Sequence, residues 1–289
     1  MTRGRSPESL AGLGKLSAGQ QELDVGVQTP TFPHLTSMKL RLISRISLFC
    51  ISAVTLFGAS PASSAPVRAL LITGGCCHDY ALQASTLIEG VKTFGDINWT
   101  VVHEGGTTKN AKFALYDNPD WAKPYDVVVH NECFADLDDI AYVRKITAAH
   151  KAGKPAVVIH CAMHTYRVVK EDDWREFLGV TSRRHDHQAN YPVSASVKDH
   201  PVMRDFPDKW VTPMDELYVI EKLWPNAIAL ATSTSEQDGK DYPVIWVNNY
   251  HGTRVFGTTF GHGNATWRDP VFVGVVARGI LWAAGREKK

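Results

Sequence analysis

The sequence has almost no net charge: 31 Lys and Arg stand against 30 Asp and Glu. There is no basic excess and no basic stripe, so a nucleic-acid partner is not expected. Cysteine is scarce, at five residues, and no two are spaced CxxC. Nor is this the spacing of a disulfide-stapled mini-domain, because the chain is long enough to build its own core. Long apolar runs are missing except for one near the N-terminus. No internal repeat, low-complexity tract or linker follows Pro66. What is plentiful is histidine, with 12 residues, and tryptophan, with 8. Histidine suits metals and proton transfer near neutral pH. Tryptophan serves sugar faces and cores alike.

Residues 1–37 are polar, rich in Gly, Ser and Thr, and without periodicity. That is the look of disorder, or of a start codon assigned too early. Met38 opens a better beginning. Lys39, Arg41 and Arg45 form a basic region, and Ile46–Ala59 follows as an apolar run. At about 14 residues this run is short for a bilayer span. Ser60–Ala65 supplies the small residues of a cleavage site. Together residues 38–65 have the pattern of a secretory signal peptide, with an uncleaved anchor as the main alternative. Cys50 has no lipoprotein context. The expectation is a periplasmic or secreted protein with no stable membrane insertion after cleavage. It would begin near Pro66 and form one domain of roughly 220 residues. Cys76, Cys77, Cys133 and Cys161 remain, each just beyond a predicted strand. An oxidising compartment permits a bridge between strand tips, but the sequence leaves the pairing open.

The chain is organised around Lys154–Arg167, KPAVVIHCAMHTYR. Pro155–Ile159 reads as a buried parallel strand, and reactive side chains follow at once. Before it come a strand at Val67–Thr73, a helix from Asp79 to about Phe94, strands at Asn98–His103 and Asp126–His130, and a helix at Asp138–Lys151. This β-α-β-β-α-β order predicts an α/β fold, a flavodoxin-like mainly parallel sheet with helices on both faces. Right-handed crossovers would then bring Gly75–His78, His103, Asn131-Glu132 and His160–His164 to one edge. The second half reads as a short helix at Trp174–Leu178, a polar loop at Thr181–Asn190, a strand at Pro192–Val197 and a loop at Asp208–Met214. Asp215 and Glu216 stand just before a strand. Strands at Ile228–Ala231, Val244–Val247 and Arg254–Thr258 follow, then a loop at Gly261–Asn264 and a helix at Pro270–Ala284.

His160 and His164, spaced i,i+4, face the same way if the chain turns helical after Ile159. His160, Glu216 and His262 are the candidate catalytic groups. His160 or His262 would serve as general base and Glu216 as acid. His78, Tyr166, Asp215 and Tyr218 are candidate substrate contacts; Asp215 could instead orient a loop. His164, His185 and His187 are candidate metal ligands, with a solvated polar loop the plainer reading of the last two. Histidine with carboxylate would favour a divalent transition metal such as Zn. No nucleotide cofactor is expected. His103, His130, His150, His200 and His251 are read as structural. Trp174, Tyr166, Tyr191, Tyr218 and Trp267 could stack on a sugar or simply pack.

With these residues in view, Val67–Trp282 resembles the ThuA-like family of the trehalose-utilisation type. The carriers are the Gly-Gly turn before His78-Asp79, the strand ending in His160, His200-Pro201-Val202, Asp215–Tyr218, and Val255-Phe256 with Gly261-His262. The resemblance implies a class I glutamine amidotransferase-like fold whose glutaminase chemistry has been lost. His160 stands where the nucleophilic cysteine of such a glutaminase would be, and Cys161 comes one place late. It also implies a role in carbohydrate catabolism on a glycoside or keto-sugar, by hydrolysis, elimination or isomerisation. The small carbohydrate is then the expected partner. The alternative is a non-catalytic carbohydrate-binding or scaffold domain. The oligomeric state is left open.

Overall fold

The computed structural model describes residues 65–287. The expectations for residues 1–64, the leader and Cys50 among them, lie outside the described residues. In chain order the strands are β1 (Val67–Gly75), β2 (Ile97–His103), β3 (Val127–Cys133), β4 (Ala156–Ile159), β5 (Val180–Ala189), β6 (Pro192–Ala195), β7 (Trp210–Val211), β8 (Asp215–Leu223), β9 (Ala227–Thr234), β10 (Asp241–Tyr250) and β11 (Thr253–Thr258). The helices are α1 (Tyr80–Gly90), α2 (Ile140–Lys151), α3 (Asp173–Leu178) and α4 (Pro270–Ala283).

Nine strands form one sheet in the order β2-β1-β3-β4-β11-β10-β9-β6-β7. It is parallel from β2 to β11 and antiparallel from β11 onward. The expected α/β architecture is therefore present in its parallel half. Side chains that alternate along a strand point to opposite faces, and β1 shows the result. Ala69 and Leu71 enter one core with Leu87 of α1 and Ile280 of α4. Leu70 and Ile72 enter the other with Val143 and Ile146 of α2 and Phe177 of α3. That two-sided burial is why these strands read as unbroken apolar runs.

The helix starts follow from side-chain capping, which satisfies N–H groups otherwise left open. Asp79 accepts the Leu82 N–H at 3.1 Å, and Asp139 that of Tyr142 at 3.0 Å. Asp269 accepts from Val271 and Phe272, with Pro270 in the first turn. α1 stops earlier than expected, and Val91–Thr93 tightens into a 3-10 turn.

Three expectations need correction. Thr181–Asn190 is not a loop but most of β5, paired antiparallel with β8 in a separate two-stranded sheet. Its polar residues hid it, because Arg183, Arg184 and His185 face solvent while Val180–Ser182 and Asp186 are buried. Asp208–Met214 contains the short β7, and Asp215 and Glu216 lie within β8 rather than before it. Glu132 is the penultimate residue of β3, but its side chain turns into the core and not toward the strand tips. Its carboxylate pairs with His130 at 2.9 Å, and His130 meets His150 at 3.1 Å, all three fully buried. His130 and His150 are thus internal, as expected of structural histidines.

Candidate active site

At the C-terminal edge of the parallel strands lies a cleft of about 170 Å³. Three strand tips supply one wall: Cys76 to His78 after β1, Cys133 at the end of β3, and Cys161 with His164 after β4. The β5–β8 ribbon supplies the opposite wall with His185, Glu216 and Tyr218, and the loop after β11 adds His262. Lys109 and Arg167 also line it. A larger depression of about 660 Å³ beside α1 and Trp267 carries no converging imidazoles.

The turn after β1 depends on glycine. Gly75 has φ +100°, and a Cβ there would lie 2.3 Å from the Cys133 carbonyl oxygen. The close approach that glycine permits is therefore to the neighbouring strand. The chain then reaches His78, whose ring packs edge-on against His160 and His262, each at 4.8 Å between centroids. Burial, followed by the nearby His262, pushes His78 down to about 4.

His160 leaves β4 in a left-handed conformation, φ +47°. It is almost fully buried and donates its Nδ1–H to the Thr259 carbonyl at 2.7 Å. Its Nε2 points toward two cleft residues, accepting from the Tyr218 hydroxyl at 3.2 Å with Glu216 Oε2 at 3.8 Å. Burial, reinforced by His78, holds the ring well below the usual histidine range, hence neutral.

Adjacent carboxylates in β8 part company because strand side chains alternate. Asp215 is buried and holds the loop after β11. It accepts the Gly261 N–H at 3.1 Å, the His262 N–H at 3.2 Å and the Thr266 hydroxyl at 2.5 Å. Burial raises its carboxyl to about 6 despite those donors. Glu216 faces the cleft, with Oε2 at 3.2 Å from His262 Nδ1 and 3.6 Å from His185 Nδ1. Burial works to raise Glu216, but contact with His262 and the nearby His185 and His78 prevail and hold it below the usual range. The same contact raises His262 against the opposing effect of burial. Gly261, at φ +131°, sits where a Cβ would come within 3.2 Å of His160 Cβ.

Glu216, His262, His78 and Tyr218 thus line one cleft, and His160 stands directly behind them, against His78, Tyr218 and Glu216. Asp215 stands behind the cleft, orienting the His262 loop. Tyr166 is buried between Tyr142 and Trp174 and does not line the cleft. Trp174, Tyr191 and Trp267 are likewise core residues. The expected metal trio does not converge. His164 is buried, stacked on Tyr218 at 3.9 Å and bonded to Ser182 at 3.0 Å. His185 lines the cleft, but His187 pairs with Glu236 at the surface, 2.9 Å away. The bulged register of β5 against β8 separates what i,i+2 spacing alone would keep together. The ring nitrogens of His78, His160 and His262 are instead the group whose donor atoms lie within 4.8 Å of one another.

Sequence reasoning missed Gln188, whose side-chain amide meets His262 Nε2 at 2.8 Å. The available signal was indirect: β8 needs a ladder partner, and the polar stretch before it is long enough to be one. It also allowed a bridge between strand tips without assigning the pairing. The structure joins Cys76 to Cys77 and Cys133 to Cys161, two disulfides in the wall of the cleft.

A family model described as ThuA, trehalose utilisation, matches residues 68–283. Among solved structures the chain is similar to a ThuA-like protein from Parabacteroides merdae, at 21% identity and TM-score 0.64, covering 78% of this chain and 92% of that one. It is also similar to a ThuA-like protein from Bacteroides uniformis, at 15% identity and TM-score 0.60, covering 80% and 96%. A cytoplasmic protein, STM3548 from Salmonella typhimurium, matches at 14% identity and TM-score 0.50, covering 74% and 98%. These likenesses show the fold. No curated protein matches the chain. Among the described residues no helix is long and apolar enough to cross a membrane.

Proposed function

The chain belongs to the trehalose-utilisation (ThuA) family, and from that premise we propose that it is an exported enzyme of carbohydrate catabolism, acting on a glycoside or keto-sugar in the cleft at the strand tips. One observation carries the reading. Imidazoles of His78, His160 and His262, distant in sequence, converge with Glu216, the only carboxylate lining the cleft among the described residues. Pockets that gather a few titratable groups in this way are the sites where chemistry is sought first.

The charge balance supports a substrate on which negative charge develops at oxygen. Lys109 and Arg167 face one carboxylate, and no side-chain ion pair engages either cation among the described residues. Proton removal from the carbon beside a sugar carbonyl fits this balance. Glu216 takes the proton, the electron pair moves onto the carbonyl oxygen, and the cationic wall stabilises the resulting enolate. In elimination, that pair then expels the glycosidic oxygen, which leaves with a proton from the site. His160 and His262 present ring nitrogens to the reacting atoms, and Tyr218 braces His160. Export is supported by the leader pattern in residues 38–65. A reading without glutaminase chemistry is supported by His160 at the end of β4 and by Cys161, tied to Cys133 and so not a free thiol.

The test is a screen of glycosides and their keto forms against the purified protein and its Glu216→Gln variant. Turnover reduced by roughly 10²–10⁴ with substrate binding retained is expected for loss of the proton-transferring group. Sugar binding without turnover in the unaltered protein would make the chain a carbohydrate-binding domain instead.

A further inference from the structure

Two of the three cleft imidazoles are held from behind. His160 gives its Nδ1–H to the Thr259 carbonyl, which leaves the lone pair of Nε2 on the Glu216 side, where a metal ion would take the place of the hydrogen that the Tyr218 hydroxyl now donates at 3.2 Å. His262 Nε2 is faced by the Gln188 side-chain amide, placed with its nitrogen toward the ring at 2.8 Å. The oxygen and nitrogen of an amide exchange places by a simple flip. With the oxygen toward the ring, His262 donates Nε2–H and carries its lone pair on Nδ1, facing Glu216. A carbonyl behind the ring and a bare nitrogen ahead is how metal-ligating histidines are set. Ahead, His262 Nδ1 meets only the Glu216 carboxylate at 3.2 Å, and both ring nitrogens of His78 are buried without a hydrogen-bond partner among the described residues. Buried polar atoms left unpaired are costly, and a ligand would remove that cost.

Resting on the reading of this cleft as a reaction site, we propose that His78, His160 and His262 bind one divalent transition-metal ion of the zinc class, with its fourth position open toward Glu216. Three imidazoles with an open position form the donor set of a catalytic rather than a structural zinc site. Tetrahedral bonds of ~2.0–2.1 Å need donor atoms roughly 3.3 Å apart. Here they lie within 4.8 Å of one another. His78, carried on the turn after β1 rather than within a strand, is the ring that would move inward. Glu216 is then placed to take a proton from water or a sugar hydroxyl in the open position. Cys76, Cys77 and Cys133 also cluster within 4.8 Å, but their sulfurs are spent in disulfides.

The purified full chain, stripped with a chelator, is titrated with Zn²⁺ by calorimetry and with Co²⁺ by visible absorption. One equivalent is expected, with the absorption bands of tetrahedral Co²⁺ and a raised melting temperature. His78→Ala and His262→Ala should each weaken binding by more than about 100-fold, and Gln188→Ala by about 10–100-fold. His78 sits on a turn, so its variant keeps the test open if His160→Ala does not fold; melting without metal reports which variants do. No bound equivalent, or binding unchanged in both His78→Ala and His262→Ala, overturns the site. So does binding that is lost only when the cysteines are replaced. Stoichiometric binding with no sugar turned over keeps the metal site and removes the enzyme reading. Full turnover by metal-free protein does the reverse.

Discussion

The parallel and antiparallel halves build the two walls of the cleft by different means. The parallel strands contribute from their ends: Cys133 is the last residue of β3, and Cys76, His78 and His160 stand just past the ends of β1 and β4. The β5–β8 ribbon contributes from within its ladder, by alternation. Glu216 and Tyr218 face the cleft while Leu217 and Val219 enter the core. A strand tip positions one group through a constrained backbone; a ribbon positions several at a spacing of two. The parallel wall is also cross-linked, whereas the ribbon relies on its ladder and on Asp215. The lesson is that the first wall derives its precision from turns and covalent bonds, and the second from register.

The largest expected stability effect breaks the covalent bracing. Replacing Cys133 and Cys161 together by serine opens a link between residues 28 apart in sequence. By loop entropy this costs about 3.5 kcal/mol, on the order of 10 °C in melting temperature for a domain of this size. Differential scanning calorimetry measures it; a shift of only a degree or two would mean that the strand tips are held without the bond. Next is the seam between the halves. Gly261→Ala forces a side chain onto φ +131° against His160 and Ile159, which should cost about 1–3 kcal/mol. Turnover should fall further than stability does, because His262 moves with the loop; equal losses would argue that the loop's placement is unimportant.

A pH experiment probes the core beneath the parallel wall. Burial, then the neighbouring His130, holds His150 well below its ordinary value, and its ring stacks on Phe177 at 4.3 Å. Its folded pKa is depressed, so the unfolded chain binds the proton first. Stability from this group is present above about pH 6.5 and is lost as pH falls below it, by up to ~1.4 kcal/mol per pH unit. Urea titrations of the protein and its His150→Asn variant should differ by that slope; parallel pH profiles would remove His150 as the cause. The smallest effect expected is at the start of α1. Asp79→Ala removes the cap on the Leu82 N–H, costing about 1 kcal/mol. Chemical denaturation should register it with the cleft's activity little changed.

Most of the parallel half was legible in the chain. Its strands are buried on both sides, so Val67–Thr73 and Pro155–Ile159 announce themselves as apolar runs, and the capping aspartates mark the helices. His78, His160, Glu216 and His262 were legible as candidates because reactive residues beside strand ends and glycines are conspicuous. β5 was not legible. One of its faces meets solvent, and residues such as Arg183, His185 and Gln188 carry the same polarity as a loop. Without β5 the bulge that carries His187 away to Glu236 was invisible, and so was Gln188 behind His262. Tyr166 shows the opposite failure: an aromatic near reactive residues in sequence turns into the core when its backbone takes φ +56°.

By itself the sequence determined which segments could be strands or helices, because burial and capping act on neighbouring residues and leave local patterns. It determined the chemical repertoire as well: imidazoles and carboxylates without a glutaminase thiol at the end of β4. Only the tertiary structure decided which of those groups share a cleft, which cysteines pair, and which of two adjacent carboxylates faces the substrate side. Those choices depend on strand order, register and the sign of φ at a few turns. Each is set by contacts between residues far apart in the chain, which no local pattern records.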